Sequence, residues 1–584
     1  MNSGLPYPPL EVVRLDDTTA VVHGASGSTG VILCNDWGYE GLCAHRTLGV
    51  LADGLAADGY PSLRFDYPGL GNSSADAVDV QCLAEHEKII FSAANSLANS
   101  RGVENLILIG IGYGALLAAK IAQQLPLPLA ASVLFAPPAN GRGYLRELQL
   151  RASMIAEVTR VKPDTQKGAS LNVAGLSMAD SLATEIKNLK LSPTSIPSDV
   201  PVFIFPRPGR VKETEIAEDF MSRETQSETS IFMGYDALMT DPTAAVTPDE
   251  EIQKARSWIK SVAPPSTTPQ TTCSEPDCVL ENPSFSETTV IFGPENNLVG
   301  TWCCPKGPQK GVPILFLSAG GTPRAGWARN TTDGARWLAA AGVPSFRIDC
   351  ADIGDSRPAR NGPEIVHYNV SQLADLTAAL DHLATKSIKS VVTAGTCSGA
   401  YLALRGAIAD ERIADVVAVN LQRFLWDPRD DVANALKFDH TSTSDYGRKF
   451  FSPEKLLKLL SGRVAVLPLA KFLGKRLLKK AEYATAPFTF GLSPYSRIFA
   501  QVHRELDQLV KRGVGIELLF SVGDPGLTHV HNMLGKSMER SEHYPTMQIT
   551  MIENADHNLT SHKSQQIYLE TLANTSKRGY RQDS

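Results

Sequence analysis

The sequence predicts an α/β fold in two tandem copies, each built on a mostly parallel, doubly wound sheet. The pattern from Ala52 to Asp66 recurs from Ala335 to Asp349, with a constant offset of 283 residues. The tripeptides 71–73 (GNS) and 354–356 (GDS) align at the same offset. Solenoid repeats have periods of about 20 to 50 residues, so a repeat this long indicates two copies of one domain.

The length of 584 residues and the repeat together favour two domains of about 270 to 300 residues, each large enough for one core. We place the first domain at 1–262 and the second at 280–584. The linker at 263–279 begins with a Pro/Thr-rich stretch that is typical of an extended connection. Each domain is expected to carry a helical lid insertion, at about 140–195 and about 425–510.

The most informative stretch of the second copy is Gly395-Thr396-Cys397-Ser398-Gly399. It follows an apolar strand-type run at 388–394 and precedes a helical pattern at 400–409. Strand, G-x-nucleophile-x-G, helix is the nucleophile elbow of α/β-hydrolases, here with Cys where Ser is usual. The helix N-terminus beneath the elbow favours a thiolate. A buried structural cysteine in a glycine-rich turn is the alternative, which the motifs further along the chain disfavour.

An elbow nucleophile needs an acid and then a histidine further along the chain. Asp524 follows the apolar run 516–522, and His557 follows the run 547–552. Both lie just past the carboxyl ends of predicted strands, where an open α/β sheet places its chemistry. We therefore predict Cys397, His557 and Asp524 as a catalytic triad.

Neighbouring residues supply the remaining candidates of this site. His529 and His531 follow Asp524 and are expected in a solvated loop. The backbone N–H of Ser398 is predicted as one oxyanion donor. The second donor is expected from the loop 318–321 after the strand 314–317, with Gly320 as the first choice.

The first copy lacks this chemistry. Its elbow is Gly110-Ile111-Gly112-Tyr113-Gly114, so glycine stands at the nucleophile position. The strand 202–205 runs into Pro206-Arg207-Pro208, and the last strand ends in Gly234-Tyr235-Asp236. No histidine occurs between His86 and His367. We predict a catalytically degenerate hydrolase domain that serves the second copy as a structural or recognition partner.

Three stretches of the first copy resemble bacterial α/β-hydrolases of the serine-aminopeptidase-like, exosortase-associated type: residues 34–46 (CNDWGYEGLCAHR), 64–71 (RFDYPGLG) and 141–148 (GRGYLREL). Residues 396–400 (TCSGA) and 421–426 (LQRFLW) resemble the Cys-nucleophile branch of that type. The resemblance implies an α/β-hydrolase fold in both halves. It also implies an association with acyl-activating enzymes and acyl carrier proteins, and it says little about the substrate.

The choice of cysteine is informative about the reaction, because thiolate attack on a thioester is nearly isoenergetic. We expect a thioesterase or esterase that acts on an acyl thioester carried by an acyl carrier protein or coenzyme A. An acyltransferase that passes the acyl group to an amine or hydroxyl is the second hypothesis. A non-enzymatic scaffold is the third, and the intact second triad argues against it.

Composition limits the remaining possibilities. The formal charge of −6 and a hydrophobic fraction of 43% give no case for nucleic acid. The N-terminus lacks a signal-peptide pattern, and no uncharged apolar run reaches the ~18 residues of a spanning helix. Nine cysteines, an odd number, fit a reducing compartment, so a cytoplasmic location is expected. No cofactor is expected, and no metal either: a zinc site built from Cys273, Cys278, Cys303 and Cys304 would lack a second C-x-x-C pair.

The second lid contains a basic segment, Arg448 to Glu482, with ten Lys/Arg residues against two Glu. Interleaved leucines give it an amphipathic pattern. It is expected either to cover the site with its lysines in water, or to contact an acidic partner or a membrane surface peripherally. An acidic carrier protein or a coenzyme A phosphate is preferred over lipid. The sequence does not indicate an oligomeric state.

Overall fold

A computed structural model of the chain describes residues 7–159, 168–223, 225–266, 278–359, 362–363, 365–430, 482–483, 485–489 and 491–583. The chain forms two compact units. Unit 1 comprises Met1–Lys310, Gly320–Gly362 and Thr560–Leu569. Unit 2 comprises Gly311–Ala319, Pro363–Leu559 and Glu570–Ser584. The domain boundaries expected from the sequence stay a prediction.

The strands, in chain order, are β1 Leu10–Leu15, β2 Thr18–His23, β3 Thr29–Cys34, β4 Ser62–Phe65, β5 Asn105–Ile111, β6 Leu129–Phe135, β7 Ala169–Val173, β8 Leu176–Ala179, β9 Val202–Phe205, β10 Glu228–Thr229, β11 Val279–Glu281, β12 Phe285–Phe292, β13 Leu298–Pro305, β14 Ile314–Leu317, β15 Ser345–Asp349, β16 Val391–Thr396, β17 Ile413–Val419, β18 Gly515–Ser521 and β19 Met547–Ile552.

The helices are α1 Gly38–Ala57, α2 Leu83–Arg101, α3 Tyr113–Ile121, α4 Gly141–Thr159, α5 Asp180–Lys187, α6 Val211–Met221, α7 Tyr235–Leu238, α8 Asp249–Val262, α9 Asn330–Ala340, α10 Ser371–Thr385, α11 Ser398–Ala409, α12 Pro494–Lys511, α13 Gly526–Leu534 and α14 His562–Asp583.

The first copy is built on a sheet with the order β1-β2-β4-β3-β5-β6-β9-β10. The pairs β1–β2 and β2–β4 are antiparallel, and the strands from β4 to β10 in this order pair in parallel. The central strands β3 and β5 are almost wholly buried. Strands that are covered on both faces have continuous apolar sequences, which is why such strands can be predicted from the sequence. The predicted first lid, about 140–195, contains α4 and α5 and also an antiparallel β7–β8 hairpin.

Unit 1 also contains the antiparallel strands β11, β12, β13 and β15, paired in that order. The β12–β13 hairpin places Phe292 opposite Leu298 at its turn. In unit 2, β14-β16-β17-β18-β19 form a wholly parallel arrangement. Two tandem α/β-hydrolase folds are thus present, as predicted.

The internal repeat encodes the same tight turn twice. Gly71 and Gly354 both have a positive φ, of 53° and 59°. A Cβ on Gly71 would overlap the carboxylate of Asp66, and one on Gly354 would overlap that of Asp349. Glycine is required at both positions because the carboxylate that follows or ends the strand occupies the space of a side chain.

Within unit 1, a buried carboxylate of the second copy is held by side chains of the first. Asp355 forms an ion pair with Arg324 at 2.6 Å. It also pairs with two residues of the first copy, Arg64 at 3.1 Å and His45 at 3.0 Å. The arginine and histidine charges hold the pKa of Asp355 well below its usual range, against the opposing effect of burial. Removing partners of such a buried charge costs far more than a surface ion pair.

Arg336 of helix α9 and Arg329, which directly precedes that helix, make a second set of buried contacts with the first copy. Arg336 pairs with Glu287 at 2.6 Å and donates to the backbone carbonyls of Ser73 at 2.7 Å and Asn72 at 3.0 Å. Arg329 donates to the same Ser73 carbonyl at 3.0 Å. Backbone carbonyls of the first copy therefore accept hydrogen bonds from buried arginines in the part of the second copy that belongs to unit 1.

Two predicted features lie outside the described residues. The central part of the linker, 267–277, is one of them, and the basic segment 448–482, apart from Glu482, is the other. Within the described ranges, every helix is too short or too polar to cross a bilayer.

Candidate active site

The elbow cysteine lies between β16 and α11 in a strained backbone conformation. Cys397 has φ 55° and ψ −115°, and its N–H donates to the carbonyl of Val419 at 2.9 Å. A positive φ of this kind costs a non-glycine residue about 1 to 3 kcal/mol, and it persists only where the surroundings impose it. A Cβ on Gly395 would overlap Gly399, which explains why the turn needs small flanking residues.

The predicted acid and base are hydrogen-bonded to each other. His557 Nδ1 lies 2.7 Å from Asp524 Oδ2. The other carboxylate oxygen, Oδ1, accepts from Gln422 Nε2 at 2.9 Å and from the N–H of Gly526 at 2.8 Å. Because an ionised carboxylate only accepts hydrogen bonds, Nδ1 carries the imidazole proton. Nε2 is then the nitrogen left for the nucleophile.

Cys397 and His557 also influence each other, since the charge of Cys397 acts on the His557 imidazole. Burial acts to lower the pKa of His557, but the charge of Cys397 and the hydrogen bond that His557 Nδ1 donates to Asp524 raise it well above its usual value. A histidine with a raised pKa stays protonated at neutral pH. The geometry is therefore suited to a thiolate–imidazolium pair.

A buried asparagine fixes the loop that carries the histidine. Asn420 directly follows β17 and is fully buried. Its Nδ2 donates to the His557 carbonyl at 2.8 Å and to Ser521 Oγ at 3.0 Å, while its Oδ1 accepts from the Ser521 N–H at 2.8 Å. The Ser521 hydroxyl in turn donates to the Asp556 carbonyl at 2.8 Å. The ends of β17 and β18 thus hold the histidine backbone in place.

Sequence reasoning missed both Asn420 and Gln422. A signal was available, because both residues immediately follow the carboxyl end of β17, which lies between the elbow strand and the acid strand. Polar residues at that edge of a parallel sheet are candidates for the site whether or not they belong to a known motif.

A tyrosine that the sequence did not single out contacts the nucleophile. The hydroxyl of Tyr368 lies 3.8 Å from Cys397 Sγ. Its ring stacks on Trp426 with 4.7 Å between centroids and meets Tyr401 edge-on at 5.2 Å. Tyr368 has φ 58°, which is a rare conformation for a bulky residue. An aromatic wall therefore places one hydroxyl beside the thiol.

The other predicted residues are placed as follows. Ser398 is the first residue of α11 and is buried directly after the nucleophile. Gly320 belongs to unit 1, with φ 52°, and a Cβ there would overlap the Thr243 side chain. The oxyanion roles of Ser398 and Gly320 stay predictions.

The two competing histidines lie on α13 and not in a solvated loop as expected. His529 is buried, with its ring 6.0 Å from that of Phe424. His531 lies two residues further along the same helix. The helix forms because Gly526 to Leu534 present apolar residues at helical spacing, which the sequence analysis overlooked.

The first copy keeps the elbow without its chemistry. Gly112 has φ 55° and ψ −119°, nearly the dihedral angles of Cys397. After β9, where the second copy has its acid, Arg207 forms ion pairs with Glu147 and Glu213. Arg207 also lies 3.4 Å from the hydroxyl of Tyr235. These residues supply neither a nucleophile nor a base.

Comparison with known proteins agrees with this architecture. The sequence model of the alpha/beta hydrolase family matches residues 21–270 and 314–567, which together make up more than half of the chain. The chain belongs to the alpha/beta hydrolase family. Among curated proteins, the search returns no match for this hydrolase.

Solved structures similar to this hydrolase include an esterase from Pyrococcus furiosus, at 17% identity and a TM-score of 0.32, covering 50% of this chain and 91% of that one. A proline iminopeptidase from Mycobacterium smegmatis is 17% identical with a TM-score of 0.30, covering 43% and 98%. An alpha-beta serine hydrolase homologue from Coxiella burnetii is 13% identical with a TM-score of 0.27, covering 52% and 97%.

Proposed function

We propose that this hydrolase is a cysteine-dependent acyl-transfer enzyme that forms an acyl-cysteine intermediate, and that it cleaves acyl thioesters as a thioesterase or esterase. The observation that supports the proposal is the hydrogen-bonded pair His557–Asp524, with Cys397 at a strained elbow and its charge acting on the imidazole. This arrangement supplies a nucleophile, a base and an orienting acid in the roles that acyl transfer requires.

In the first half of the reaction, the Cys397 thiolate attacks the acyl carbonyl and forms a C–S bond. The carbonyl π electrons move to oxygen, and the resulting oxyanion is met by the N–H of Ser398 and by a second donor from the loop 318–321. Each such donor is typically worth about 3 kcal/mol in the transition state. Collapse expels the thiolate of the carrier, which takes the proton held on His557 Nε2.

In the second half, neutral His557 accepts a proton from water, and the hydroxide attacks the acyl-cysteine. Asp524 stabilises the imidazolium that forms, because its carboxylate accepts the Nδ1 hydrogen bond at 2.7 Å. Collapse of the second tetrahedral intermediate releases the carboxylic acid and regenerates the thiolate–imidazolium pair. An amine or hydroxyl acceptor in place of water would make the same steps an acyltransferase.

The thioester is preferred over an amide because the attacking and leaving sulfurs are chemically alike. Breaking a thioester needs no strong general acid, and a pair with a raised histidine pKa is already charged before the substrate arrives. The carrier proposed for the acyl group is a pantetheine thiol, on coenzyme A or on an acyl carrier protein.

The experiment is a pre-steady-state reaction of the full chain with an excess of acyl-coenzyme A or acyl-carrier thioester from a panel, in which thiol release and protein acylation are followed together. Wild type should release one thiol per active site in a burst. Cys397→Ala should release none, and Cys397→Ser should be slowed by about 100-fold or more, since a hydroxyl is not ionised by the histidine. Cys350→Ala and Cys304→Ala are matched controls that should behave as wild type.

Adding an amine acceptor separates hydrolysis from transfer. If the enzyme is a thioesterase, the acid yield is unchanged by the amine. If an amide product appears at the expense of acid, the acyltransferase assignment replaces it. Wild-type protein that releases no thiol from any thioester in the panel, coenzyme A or carrier-bound, would contradict the proposal.

A further inference from the structure

The first copy contains a second feature that the degenerate triad does not explain: its nucleophile position is occupied. Gly112 keeps the dihedral angles of an elbow that presents a reactive side chain. The space that such a side chain would occupy is filled by Asp36, because a Cβ built on Gly112 would overlap the Asp36 carboxylate. Asp36 comes from the loop between β3 and α1 and is buried.

The contacts of Asp36 resemble those of an oxyanion. Its Oδ1 accepts from the N–H of Trp37 at 2.8 Å, from the N–H of Tyr113 at 2.9 Å and from the hydroxyl of Tyr144 at 2.8 Å. Tyr113 directly follows the elbow position, as Ser398 follows Cys397 in the second copy. An α/β-hydrolase takes one oxyanion donor from that residue and the other from the loop after an earlier strand, where Trp37 lies.

The hydrogen-bond donors around Asp36 partly offset the effect of burial on its carboxylate. Burial raises its pKa to about 6, and the three donors and Arg207 act in the opposite direction. At neutral pH the carboxylate is therefore ionised. Its charge lies at the N-terminal end of α3, which favours an anion.

We infer that the first copy retains an assembled oxyanion hole and that its own Asp36 carboxylate is the ligand, so that the copy is a self-occupied anion site for a small carboxylate. The inference does not depend on the reaction proposed for the second copy. It also explains why restoring a side chain at the elbow would not restore chemistry: Gly112→Ser would collide with the ligand that fills the hole.

Removal of the internal ligand should turn the site into one for an external carboxylate. In the full-length Asp36→Ala variant, sodium formate should give a saturable rise in Tm of about 2 to 6 °C, as for a ligand that binds only the folded state. Wild type and Asp36→Asn should show no such rise, since each keeps a side chain in the hole. Sodium chloride at the same concentration is the control for ionic strength.

A formate effect that is absent from Asp36→Ala, or equal in all three proteins, would overturn the inference. An equal effect of chloride would overturn the assignment to a carboxylate.

A second measurement tests the occupied elbow without a ligand and covers the case in which Asp36→Ala fails to fold. Gly112→Ala adds a methyl group at φ 55°, where it meets Asp36. Gly102→Ala is the matched control, because Gly102 has φ 64° with no atom within 4 Å of a built Cβ. Gly112→Ala should lower Tm by at least twice as much as Gly102→Ala. Equal losses would mean that Asp36 does not fill the elbow.

Discussion

Replacing His557 with alanine should make the elbow thiol an ordinary one. The charge of Cys397 and the hydrogen bond to Asp524 raise the pKa of His557 well above its usual value, so wild type is expected to pair an imidazolium with a thiolate at neutral pH. Without that partner, a thiol with a pKa of about 8.5 is only about 3% ionised at pH 7. The reactive fraction should therefore fall by up to ~30-fold.

Two effects reduce this factor. The N-terminus of α11 still favours a thiolate in the variant, and a paired thiolate of low basicity is intrinsically a weaker nucleophile. We therefore expect iodoacetamide to alkylate Cys397 about 10-fold more slowly in His557→Ala at neutral pH. At about pH 9.5 both proteins are ionised, and the difference should vanish or reverse.

The assay measures alkylation rates by mass spectrometry of the peptide that contains Cys397, between about pH 5 and about pH 10. His531→Ala is the matched control, because that histidine lies on α13 and has no part in the predicted triad. A His557→Ala profile that coincides with the wild-type profile would refute the thiolate–imidazolium pair. A loss as large in His531→Ala would mean that the wrong histidine was chosen.

Three further predictions follow from the contacts around the site. Asp524→Asn should lower kcat by about 10- to 100-fold, because an amide donor at Nδ1 favours the tautomer that cannot accept the thiol proton; a variant within twofold of wild type would contradict that orienting role. Gln422→Leu removes one donor to that carboxylate and should cost about 1.5 to 3 kcal/mol of transition-state stabilisation. This cost is measured as kcat/KM, with the fold checked by circular dichroism. An unchanged kcat/KM would show that the Gly526 N–H alone suffices. Tyr368→Phe keeps the aromatic packing and removes only the hydroxyl, so acylation should slow by about 5-fold, and a change in thermal unfolding instead would indicate a structural role.

The dependence of the second copy on the first can be tested by deletion. The fragment 280–584 lacks His45 and Arg64, which contact buried Asp355, and the carbonyls that Arg336 contacts. Asp355 keeps Arg324 and Arg336 keeps Glu287 in the fragment, but each loses partners from the first copy. Loss of partners at a buried charge is strongly destabilising, so the fragment should aggregate or unfold well below the temperature of the full chain. A monomeric, soluble fragment that is as active as the whole chain would contradict this interpretation.

Much of the fold could be read from the sequence, because buried parallel strands appear as continuous apolar runs. β14, β19 and β9 were predicted with the bounds they have, and β16 and β18 within a few residues. The repeat was recognisable from its constant offset, and one of its matched glycines stands in both copies beside an aspartate carboxylate that leaves no room for a side chain. The hairpin β7–β8 was missed, since short strands in an insertion carry too little periodicity to be distinguished from a helical lid.

The site was predicted as far as motifs extend and no further. Cys397, Asp524 and His557 each follow a strand in the order that an elbow requires, and the structure joins the acid to the histidine by a hydrogen bond, with the charge of Cys397 acting on the imidazole. Gln422 contacts the same carboxylate across a separation of 102 residues, and Tyr368 reaches the thiol across 29. Such contacts depend on tertiary packing and backbone strain, and neither leaves a local pattern in the sequence.

The role of Asp36 could not be predicted from the sequence. It lies within the stretch 34–46 that carries the family resemblance, and that resemblance said nothing of its role. Only the folded structure places its carboxylate over Gly112, which lies 76 residues further along the chain. The carboxylate occupies the space of a side chain there, which explains why the first elbow holds glycine.

The most direct test of the central claim is the mass of the acylated enzyme. Full-length protein is incubated with acyl-coenzyme A and acyl-carrier thioesters, quenched in acid and examined by intact-mass and peptide-level mass spectrometry. We predict one acyl group per chain on the peptide that contains Cys397, removed by hydroxylamine and absent from Cys397→Ala. Acylation that persists in Cys397→Ala, or that maps to another cysteine, would contradict the assignment of Cys397 as the nucleophile.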